Sequence, residues 1–451
     1  MAKIAPRSFK GTRDFTPSEM IPRETVIETI KGVFRLYGFS PMETPALEML
    51  EVLTGKYGDE SEKLVYKLDY KNNRFSDRVA LRYDLTVPLA RVVASHPEWP
   101  MPFKRYQIQP VWRADQPQIR QGRFREFYQC DVDTIGAEEG VADAEIIALT
   151  VEMITRLGFI EGDRRAVVQL NHRKLLEGFC RSSGLPDAQI VPFTRTLDKL
   201  DKIGEGGVRE ELGKIGVDKA GFAQLQQILH VSGSNEEKLQ TLHETFAEDK
   251  TAKMGLDALE GILAQLKVLE VPENAVHFSP YLARGLDYYT GVVFETILPD
   301  HPHIGSLTGG GRYDKLIGLY GSRDLPATGT TIGLDRIFAA MEQLGMISTD
   351  SATVTRVLVT AYSDEEVSAA LRVVREFRLA GIPCELYPMA GKLKKSLSYA
   401  DKLGIPYVAV VGPDEAADPE NLRVSLKDLA ESEQRILTLS EAIDAVESPG
   451  N

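Results

Sequence analysis

A short stretch of the chain, residues 103–125, concentrates positive charge in an otherwise acidic protein. It has a local balance of +5, set by one acid, Asp115, and by the basic residues Lys104, Arg105, Arg113, Arg120, Arg123 and Arg125. Two polar strands joined by the loop Gln116–Gly122 would place Arg113, Arg123 and Arg125 around one point, where guanidinium groups suit a polyphosphate. A solvated, arginine-rich hairpin accounts for the same composition equally well.

Two further segments combine glycine with aromatic and charged residues. In Arg284–Gly291 a charged residue precedes glycine, and two adjacent tyrosines lead into an apolar strand. The alternative is that Tyr288 and Tyr289 pack on opposite faces of that strand. In Thr308–Asp314 three successive glycines match neither common phosphate-loop pattern. They indicate instead that a ligand or another backbone approaches this segment closely.

The segment Gly329–Arg336 predicts a glycine-rich strand that runs into a helix beginning near Gly333. Arg336 would then lie in the first helical turn, where the helix dipole disfavours a cation. An anionic ligand would explain an arginine at this position. An ordinary surface arginine is the alternative, with equal weight.

The elements that must position these residues follow from the periodicity of the chain. A helix is predicted from Thr16 to Gly38, followed by an extended segment with two prolines. Alternating strands then indicate an antiparallel sheet with one working face. A Leu-rich, charged stretch predicts a helical insertion, and alternating strands and helices near the end predict a small α/β domain. The predicted fold is an α+β main domain, an antiparallel sheet flanked by helices, in residues 1–174 and 270–350, with the insertion at 175–269 and the α/β domain at 353–451.

Composition and charge limit the class of protein. The 451 residues carry a net charge of −13, which argues against a broad nucleic-acid surface but leaves room for a local one at residues 103–125. No apolar run approaches the roughly 20 residues that cross a bilayer. The first residues have no apolar leader, so a cytosolic location is the default expectation. Cys130, Cys180 and Cys384 lie far apart without a C-x-x-C pair, which argues against disulfides and structural zinc.

Taken in order, these segments resemble the signature motifs of the class II aminoacyl-tRNA synthetases. The predicted helix with its extension to Pro45 resembles motif 1, Arg105–Asp133 resembles motif 2, and Gly329–Arg336 resembles motif 3. The string Arg284–Tyr289 looks like the signature of the histidine-specific members, and Gly310–Asp314 is similar to a second stretch typical of them. The resemblance covers nearly the whole chain, and the C-terminal domain resembles the anticodon-binding domain of the family. It implies a ligase that activates L-histidine with ATP and transfers it to the 3'-terminal adenosine of its tRNA.

The resemblance also implies which residues bind the backbone atoms of histidine. The α-amino group would be held by Asp84, Leu85 and Thr86. Arg113 and Arg284 would hold the carboxylate and the α-phosphate, and they are the two residues to which the resemblance gives a catalytic role. Positive charge there would stabilise the reaction as the carboxylate oxygen attacks phosphorus.

A second set implied by the resemblance would surround the rest of the amino acid: Gln129, Asp133, Tyr288 and Tyr289. An imidazole offers one hydrogen-bond donor and one acceptor. A carboxylate and a tyrosine hydroxyl can therefore bind both ring nitrogens and reject near-isosteres that cannot pair.

For ATP, the resemblance implies contacts from Arg113, Asp115, Arg123, Phe127 and Arg336. Phe127 would stack on adenine, and Arg123 and Arg336 would contact the phosphates. Mg²⁺ would arrive with ATP rather than in a metal site of the protein.

Motif 2 departs from the commoner bacterial pattern two residues after its arginine, Arg113. Asp115 stands where that pattern has glutamate, and with the longer loop Gln116–Gly122 the motif is more similar to the archaeal and eukaryotic type. Gln118 and Arg120 are expected to approach the acceptor end of the tRNA.

Two other functions compete with the ligase. The first is a regulatory subunit of histidine biosynthesis that keeps the synthetase core without charging tRNA. An intact Arg284–Gly291 segment and a full C-terminal domain argue against it. The second is a stress-sensing tRNA-binding module, which would accompany a kinase domain, and no kinase signature occurs in this sequence. A homodimer is expected, since motif 1 builds the subunit interface in this class.

Overall fold

The computed structural model describes residues 4–54, 63–68, 78–119, 122–162, 164–283, 288–348, 352–418 and 420–447. The chain divides into two compact units. Residues 1–13 and 26–346 form the first, and residues 14–25 and 347–451 form the second.

A large mixed sheet organises the first unit. The strands of this unit, in chain order, are β1 (Ser40–Pro41), β2 (Leu47–Met49), β3 (Tyr66–Lys67), β4 (Val79–Leu81), β5 (Phe103–Trp112), β6 (Glu126–Ile135), β7 (Ile160–Glu161), β8 (Arg164–Arg165), β9 (Val167–His172), β10 (Val276–Phe278), β11 (Val292–Ile297), β12 (Thr308–Arg312) and β13 (Ala327–Gly333). The large sheet has the order β1-β5-β6-β13-β12-β11-β9-β10, and β2, β4 and β3 form a smaller sheet.

The pairing within the large sheet is antiparallel from β5 to β9, as the alternating sequence predicts. Its two edges differ, because β1 pairs with β5 and β10 pairs with β9 in parallel. A parallel neighbour needs a crossover connection rather than a tight turn. The helical stretch between β9 and β10 provides one of these crossovers, and the segment between β1 and β5 provides the other.

The helices of the described residues up to residue 346 are α1 (Pro17–Leu36), α2 (Leu50–Leu53), α3 (Thr86–Ser95), α4 (Val141–Arg156), α5 (Arg173–Ser182), α6 (Ile190–Leu197), α7 (Leu200–Lys214), α8 (Lys219–Leu229), α9 (Asn235–Thr245), α10 (Lys250–Val268) and α11 (Leu334–Gln343). The predicted first helix is confirmed, with Val26, Ile30, Val33 and Phe34 buried. None of the helices in the described ranges is long and apolar enough to span a membrane.

Helices α5 to α10 fill the stretch predicted to be a helical insertion. In α10 the residues Leu256, Leu259, Ile262 and Leu266 recur at helical spacing and are buried. Gly178 on α5 packs so closely on α10 that an added Cβ would lie 2.7 Å from that of Ala252. Because the first compact unit includes these helices, the domain limits 175 and 269 stay predictions.

The second unit contains a separate five-stranded sheet among its described residues, in the order β15-β14-β16-β17-β18. Its strands are β14 (Val357–Ala361), β15 (Cys384–Leu386), β16 (Tyr407–Val411), β17 (Arg423–Asp428) and β18 (Gln434–Thr438). Its helices are α12 (Val367–Leu379), α13 (Leu393–Leu403), α14 (Pro413–Ala416) and α15 (Leu439–Glu447). The predicted α/β alternation is confirmed, but strand β18 was missed because it is an exposed edge strand with little apolar alternation.

Replacement of Gly310 with alanine should test how tightly the central strands pack. An added Cβ would overlap the backbone carbonyl oxygen of Gly329 on the neighbouring strand, so we expect Gly310→Ala to lower the free energy of unfolding by at least about 2 kcal/mol. Gly261→Ala is the matched control. Gly261 lies in α10 with nothing within 4 Å of an added Cβ, and alanine there should raise stability by about 0.5–1 kcal/mol. Urea unfolding followed by circular dichroism measures both, and equal effects would contradict the packing argument.

Candidate active site

One face of three adjacent strands carries polar side chains in register. Side chains alternate along a strand, so every second residue of β6 points to this face. The residues that lie across from one another are Arg105, Asp133 and Gly329 in one row, Gln107, Asp131 and Thr331 in the next, and Gln109, Gln129 and Gly333 in the third. We call these three rows the polar floor.

Glycine residues leave the space above the polar floor. A Cβ on Gly329 would overlap Oδ1 of Asp133, and a Cβ on Gly311 would lie 2.9 Å from the ring of Tyr289. The backbone approach predicted for the three-glycine segment is confirmed, since the atom nearest to an added Cβ would be the carbonyl oxygen of Gly329 at Gly310 and the carbonyl oxygen of Val292 at Gly311. The glycines allow Asp133 and Tyr289 to lie over the neighbouring strands.

Asp133 is held at both carboxylate oxygens. The hydroxyl of Tyr313 donates to Oδ1 at 2.5 Å, and Nη2 of Arg105 lies 2.8 Å from Oδ2. All three residues are at least 97% buried. Burial raises the pKa of Asp133, while the charge of Arg105 and the Tyr313 hydroxyl act to lower it.

Asp84 approaches the same space from the segment that precedes α3. Its Oδ1 accepts the backbone N–H of Val87 at 3.1 Å, so the carboxylate caps the start of the helix. Burial raises the pKa of Asp84 to about 6, against the effects of the Val87 hydrogen bond, Arg113 and Arg105. Its other oxygen, Oδ2, is buried and has no hydrogen-bond partner within the described residues. Leu85 and Thr86, which follow it, are buried.

Three tyrosine rings pack against one another beside Asp84 and Asp133. The ring of Tyr288 lies 4.8 Å from that of Tyr289 and 5.8 Å from that of Tyr313, in edge-on contacts. We call these three residues the tyrosine cluster. Tyr288 also shares a hydrogen bond with Thr86. Because strand β11 begins only at Val292, the alternative that the adjacent tyrosines pack on opposite faces of a strand is wrong.

Arg113 lies between Asp84 and Phe127. Its Nε donates to the carbonyl of Tyr83 at 3.0 Å, and its guanidinium lies 5.1 Å from the centre of the Phe127 ring. The charge of Arg113 also acts on Asp84. Arg113 therefore lies where the acidic end of the pocket, at Asp84, adjoins its basic end.

The described end of the motif 2 loop, at Gly122, lies against the start of α11. The backbones of Gln118 and Arg123 exchange hydrogen bonds of 2.9 and 3.1 Å, while both side chains, like that of Asp115, are exposed. An added Cβ on Gly122 would lie 3.2 Å from the carbonyl of Asp335. Arg120 lies outside the described residues.

Arg336 lies in the first turn of α11, as predicted, and its Nη1 donates to the carbonyl of Ser306 at 2.7 Å. Arg125 lies across from Arg113, whose backbone N–H donates to the carbonyl of Arg125 at 2.8 Å. The Arg125 guanidinium donates to the carbonyls of Lys10 and Asp115 at 3.0 and 3.2 Å, so it fastens the N-terminal segment.

The structure thus brings Asp84, Thr86, Asp133, Tyr288 and Tyr289 together, with Gln129 in the same strand face and Arg113 beside Asp84. Arg284, the second predicted catalytic residue, lies outside the described residues. Sequence reasoning missed Arg105, Asp131, Thr331 and Tyr313. The pattern Gln-Cys-Asp-Val-Asp at 129–133 contained a signal for Asp131, since strand alternation gives it the same face as Gln129 and Asp133.

Asp131 lies at the centre of the polar floor and is fully buried. The pKa of Asp131 is raised to about 7, chiefly by burial and also by the charges of Asp133 and Asp84. Arg105 and the hydroxyl of Thr331 act in the opposite direction. The polar floor therefore contains two buried carboxyl groups, Asp131 and Asp133, but one cation, Arg105.

Comparison with known proteins gives a consistent result. The chain matches the Histidyl-tRNA synthetase family over residues 11–337 and the anticodon binding domain family over residues 356–448. A Histidine--tRNA ligase of Bacteroides fragilis is 40% identical over 457 residues, with 97% of this chain and 98% of that one covered. The crystal structure of a histidyl-tRNA synthetase from Nostoc aligns with a TM-score of 0.87 and 33% identity, over 99% of this chain and 100% of that one. An ATP phosphoribosyltransferase regulatory subunit/histidyl-tRNA synthetase from Bacillus halodurans shares the fold alone, at 23% identity and a TM-score of 0.71, over 87% of this chain and 97% of that one.

Asp131→Asn should reveal the cost of the buried carboxyl group. Asp131 has a pKa of about 7 in the folded protein and about 4 in an unfolded chain. The folded protein therefore binds more protons between these values, and the contribution of this group to stability falls as pH rises through that window. Asparagine does not titrate, so we expect Asp131→Asn to gain stability relative to the unaltered protein, by on the order of 2 kcal/mol from about pH 4 to about pH 8.

Urea unfolding at several pH values measures that difference. Glu210→Gln, which changes an exposed carboxylate on α7, is the control, and it should follow the unaltered protein throughout. A stability difference between Asp131→Asn and the unaltered protein that stays constant with pH would exclude burial of the charge as its cause.

Proposed function

The chain belongs to the histidyl-tRNA synthetase family, and from that membership we propose that the polar floor and the tyrosine cluster form the pocket in which histidine is activated. The overall reaction is that of a histidine–tRNA ligase. Histidine and ATP give histidyl-adenylate and pyrophosphate, and histidine then passes to its tRNA. The observation that carries the assignment of the pocket is the buried Asp133 carboxylate, held by Arg105 and Tyr313 beside two further tyrosines.

The α-ammonium group of histidine binds at Asp84, Leu85 and Thr86. Oδ2 of Asp84 is buried without a hydrogen-bond partner in the described residues, and an unmet buried acceptor is costly. An ammonium group supplies both the missing donors and the missing positive charge. This binding also keeps Asp84 ionised, since a nearby cation favours the charged form of a carboxyl group.

The imidazole ring binds among Asp133, Gln129, Tyr288 and Tyr289. Asp133 accepts a ring N–H, and a tyrosine hydroxyl pairs with the other nitrogen. Oε1 of Gln129 is a further buried acceptor with no hydrogen-bond partner among the described residues. A site with such groups discriminates strongly, because an amino acid of similar size without ring nitrogens would leave them unpaired.

ATP binds at the basic end of the pocket. Phe127 stacks on adenine with the ring face that Arg113 does not cover, and Arg123 and Arg336 contact the phosphates. Asp115 completes this set, and Mg²⁺ arrives with ATP, since it keeps phosphate oxygens as its main ligands. The exposed Arg123 side chain and the position of Arg336 at a helix start both support phosphate contacts.

Adenylate formation needs no nucleophile from the protein. A carboxylate oxygen of histidine attacks the α-phosphorus in line, the bond to the β-phosphate bridging oxygen breaks, and pyrophosphate leaves. Arg113, together with Arg284, holds the carboxylate against the phosphate and stabilises the charge that develops on it. The ribose hydroxyl of the terminal tRNA adenosine then attacks the histidyl carbonyl, and AMP leaves.

The tRNA contacts both units. The anticodon-binding domain lies within the second unit, and Gln118 and Arg120 of the motif 2 loop approach the acceptor end. Measurement of the transfer step apart from adenylate formation tests the loop assignment. The regulatory-subunit alternative is not favoured, because the similarity to histidine–tRNA ligases runs over nearly the full length of both chains.

We also propose that the protein is a homodimer in the cytosol, where its tRNA is used. Motif 1 spans α1 and the extended segment after it. On either side of that segment the apolar side chains of Leu36 and Leu47 are 63% and 51% exposed. A partner that covered these two side chains would remove their apolar surface from water, which favours association.

Exchange of labelled pyrophosphate into ATP tests the function directly. We expect exchange with histidine and none above background with the other amino acids. Arg113→Gln should lower kcat by about 10²–10³-fold, because it removes charge stabilisation in the transition state. Arg156→Gln, which changes a half-exposed arginine of α4, should leave kcat unchanged. Histidine binding without exchange would favour the regulatory subunit.

Leu47→Glu should weaken the dimer, because it places a charge in the proposed interface. Multi-angle light scattering should give twice the 50.0 kDa chain mass for the unaltered protein and a smaller average mass for the variant at low concentration. The control is Leu379→Glu, which changes a leucine of the second unit that is more exposed than Leu47. An active unaltered monomer would contradict the proposal.

A further inference from the structure

Arg105 is a buried cation that the reaction described above does not use. Its side chain is completely buried on β5, directly across from Asp133. Nη2 lies 2.8 Å from Oδ2 of Asp133, and Nη1 donates to Oε1 of Gln107 at 3.4 Å. A buried arginine is costly unless it is paired. The burial of Arg105 beneath the pocket therefore needs an explanation.

The charges around Arg105 are unequal. Three carboxyl groups interact electrostatically with Arg105 and with one another: Asp131 and Asp133 on β6, and Asp84 before α3. Arg105 is the cation of the polar floor that lies among them. Among the described residues, the polar groups of the floor that face them are neutral: the hydroxyls of Thr331 on β13 and of Tyr313 after β12, and the amides of Gln107 and Gln129. Arg113 acts on Asp84 from the far side.

We propose, on the basis of the proposed function, that Arg105 is a positioning residue for histidine recognition and acts through Asp133. Its guanidinium keeps the Asp133 carboxylate ionised and fixes which oxygen faces the amino acid. Tyr313 holds the other oxygen, and Gly329 leaves the space that this orientation needs.

The protonation state of Asp133 decides which hydrogen bonds it can make to histidine. An ionised carboxylate only accepts hydrogen bonds, whereas a protonated one also carries an O–H donor. Burial favours protonation of Asp133, and the charge of Arg105 and the Tyr313 hydroxyl oppose it. Without Arg105, the protonated group would present a donor, or a rotated oxygen, to the imidazole N–H. The pocket would then lose its preference for histidine at neutral pH.

Arg105→Met tests this, since methionine keeps a long apolar stem but no charge. In the exchange assay we expect KM for histidine to rise by about 30–100-fold at about pH 6.5, while KM for ATP changes less than about threefold. Raising the pH ionises Asp133 again. The ratio of histidine KM in the variant to that in the unaltered enzyme should therefore fall below about tenfold by about pH 9. Taking the ratio at each pH cancels the titration of histidine itself.

Three companion variants separate a positioning role from a structural one. Arg105→Lys keeps the charge and should restore most of the affinity for histidine. In an Asp133→Asn background, Arg105→Met should change KM by less than about threefold further, because the group through which it acts is gone. Arg312→Met removes a comparably buried arginine, ion-paired to Asp143 at 2.7 Å; it should lower stability but leave the pH dependence of histidine KM unchanged.

A KM ratio that is flat with pH, or an equal rise in KM for ATP, overturns the proposal. If Arg105→Met does not fold, Arg105→Gln replaces it, and the same pH profile decides. Exchange by the unaltered enzyme distinguishes failure of this inference from failure of the proposed function. Exchange with histidine together with a flat Arg105 profile removes this inference alone, whereas absence of histidine-dependent exchange removes the proposed function.

Discussion

The buried ion pair of Arg105 and Asp133 constrains everything around it. Moving each ion out of water costs several kcal/mol even after relaxation, and the pair is 2.8 Å apart with both side chains excluded from solvent. Such a pair is tolerable only when the remaining hydrogen-bonding capacity is met. Tyr313 meets part of it at Oδ1 of Asp133, and the amino acid can meet the rest. The polar floor is therefore arranged to hold a ligand rather than to stabilise the sheet.

The sheet can carry this polar floor because glycines on β12 and β13 leave room for the side chains above it. Gly311 and Gly329 lie across from one another on adjacent strands, and a side chain on either would overlap the ring of Tyr289 or the carboxylate of Asp133. Glycine weakens a strand, since it adds backbone entropy and packs nothing. Antiparallel neighbours on both sides of β12 and β13 restore the rigidity that the site needs. The helical stretch between β9 and β10 adds a crossover at the far edge of the sheet, away from the polar floor.

Much of the fold could be predicted from patterns within single helices and strands. Alternation in β6 indicated one working face, and the apolar repeat of α1 and the α/β alternation of the second unit gave their elements directly. The rest depends on contacts between distant segments. Arg105 could not be recognised as buried, because its partner is set by the register of β5 against β6. Arg125 was expected near phosphate, yet the carbonyl of Lys10, over a hundred residues away in sequence, holds it. The domain limits and the roles of the site residues stay predictions.

The distribution of charge gives the pocket a direction. In the proposed pocket, Asp84, Asp131 and Asp133 lie at the end that binds the amino acid, and Arg113 lies at the other end with the proposed phosphate contacts Arg123 and Arg336. Free histidine is a zwitterion, so the field of this pocket favours one orientation, with the ammonium group towards Asp84 and the carboxylate towards Arg113. That orientation directs the carboxylate oxygen at the phosphate which it must attack. The same groups that recognise the amino acid therefore also align it, and alignment of two bound reactants can supply much of a rate enhancement without any covalent step by the protein.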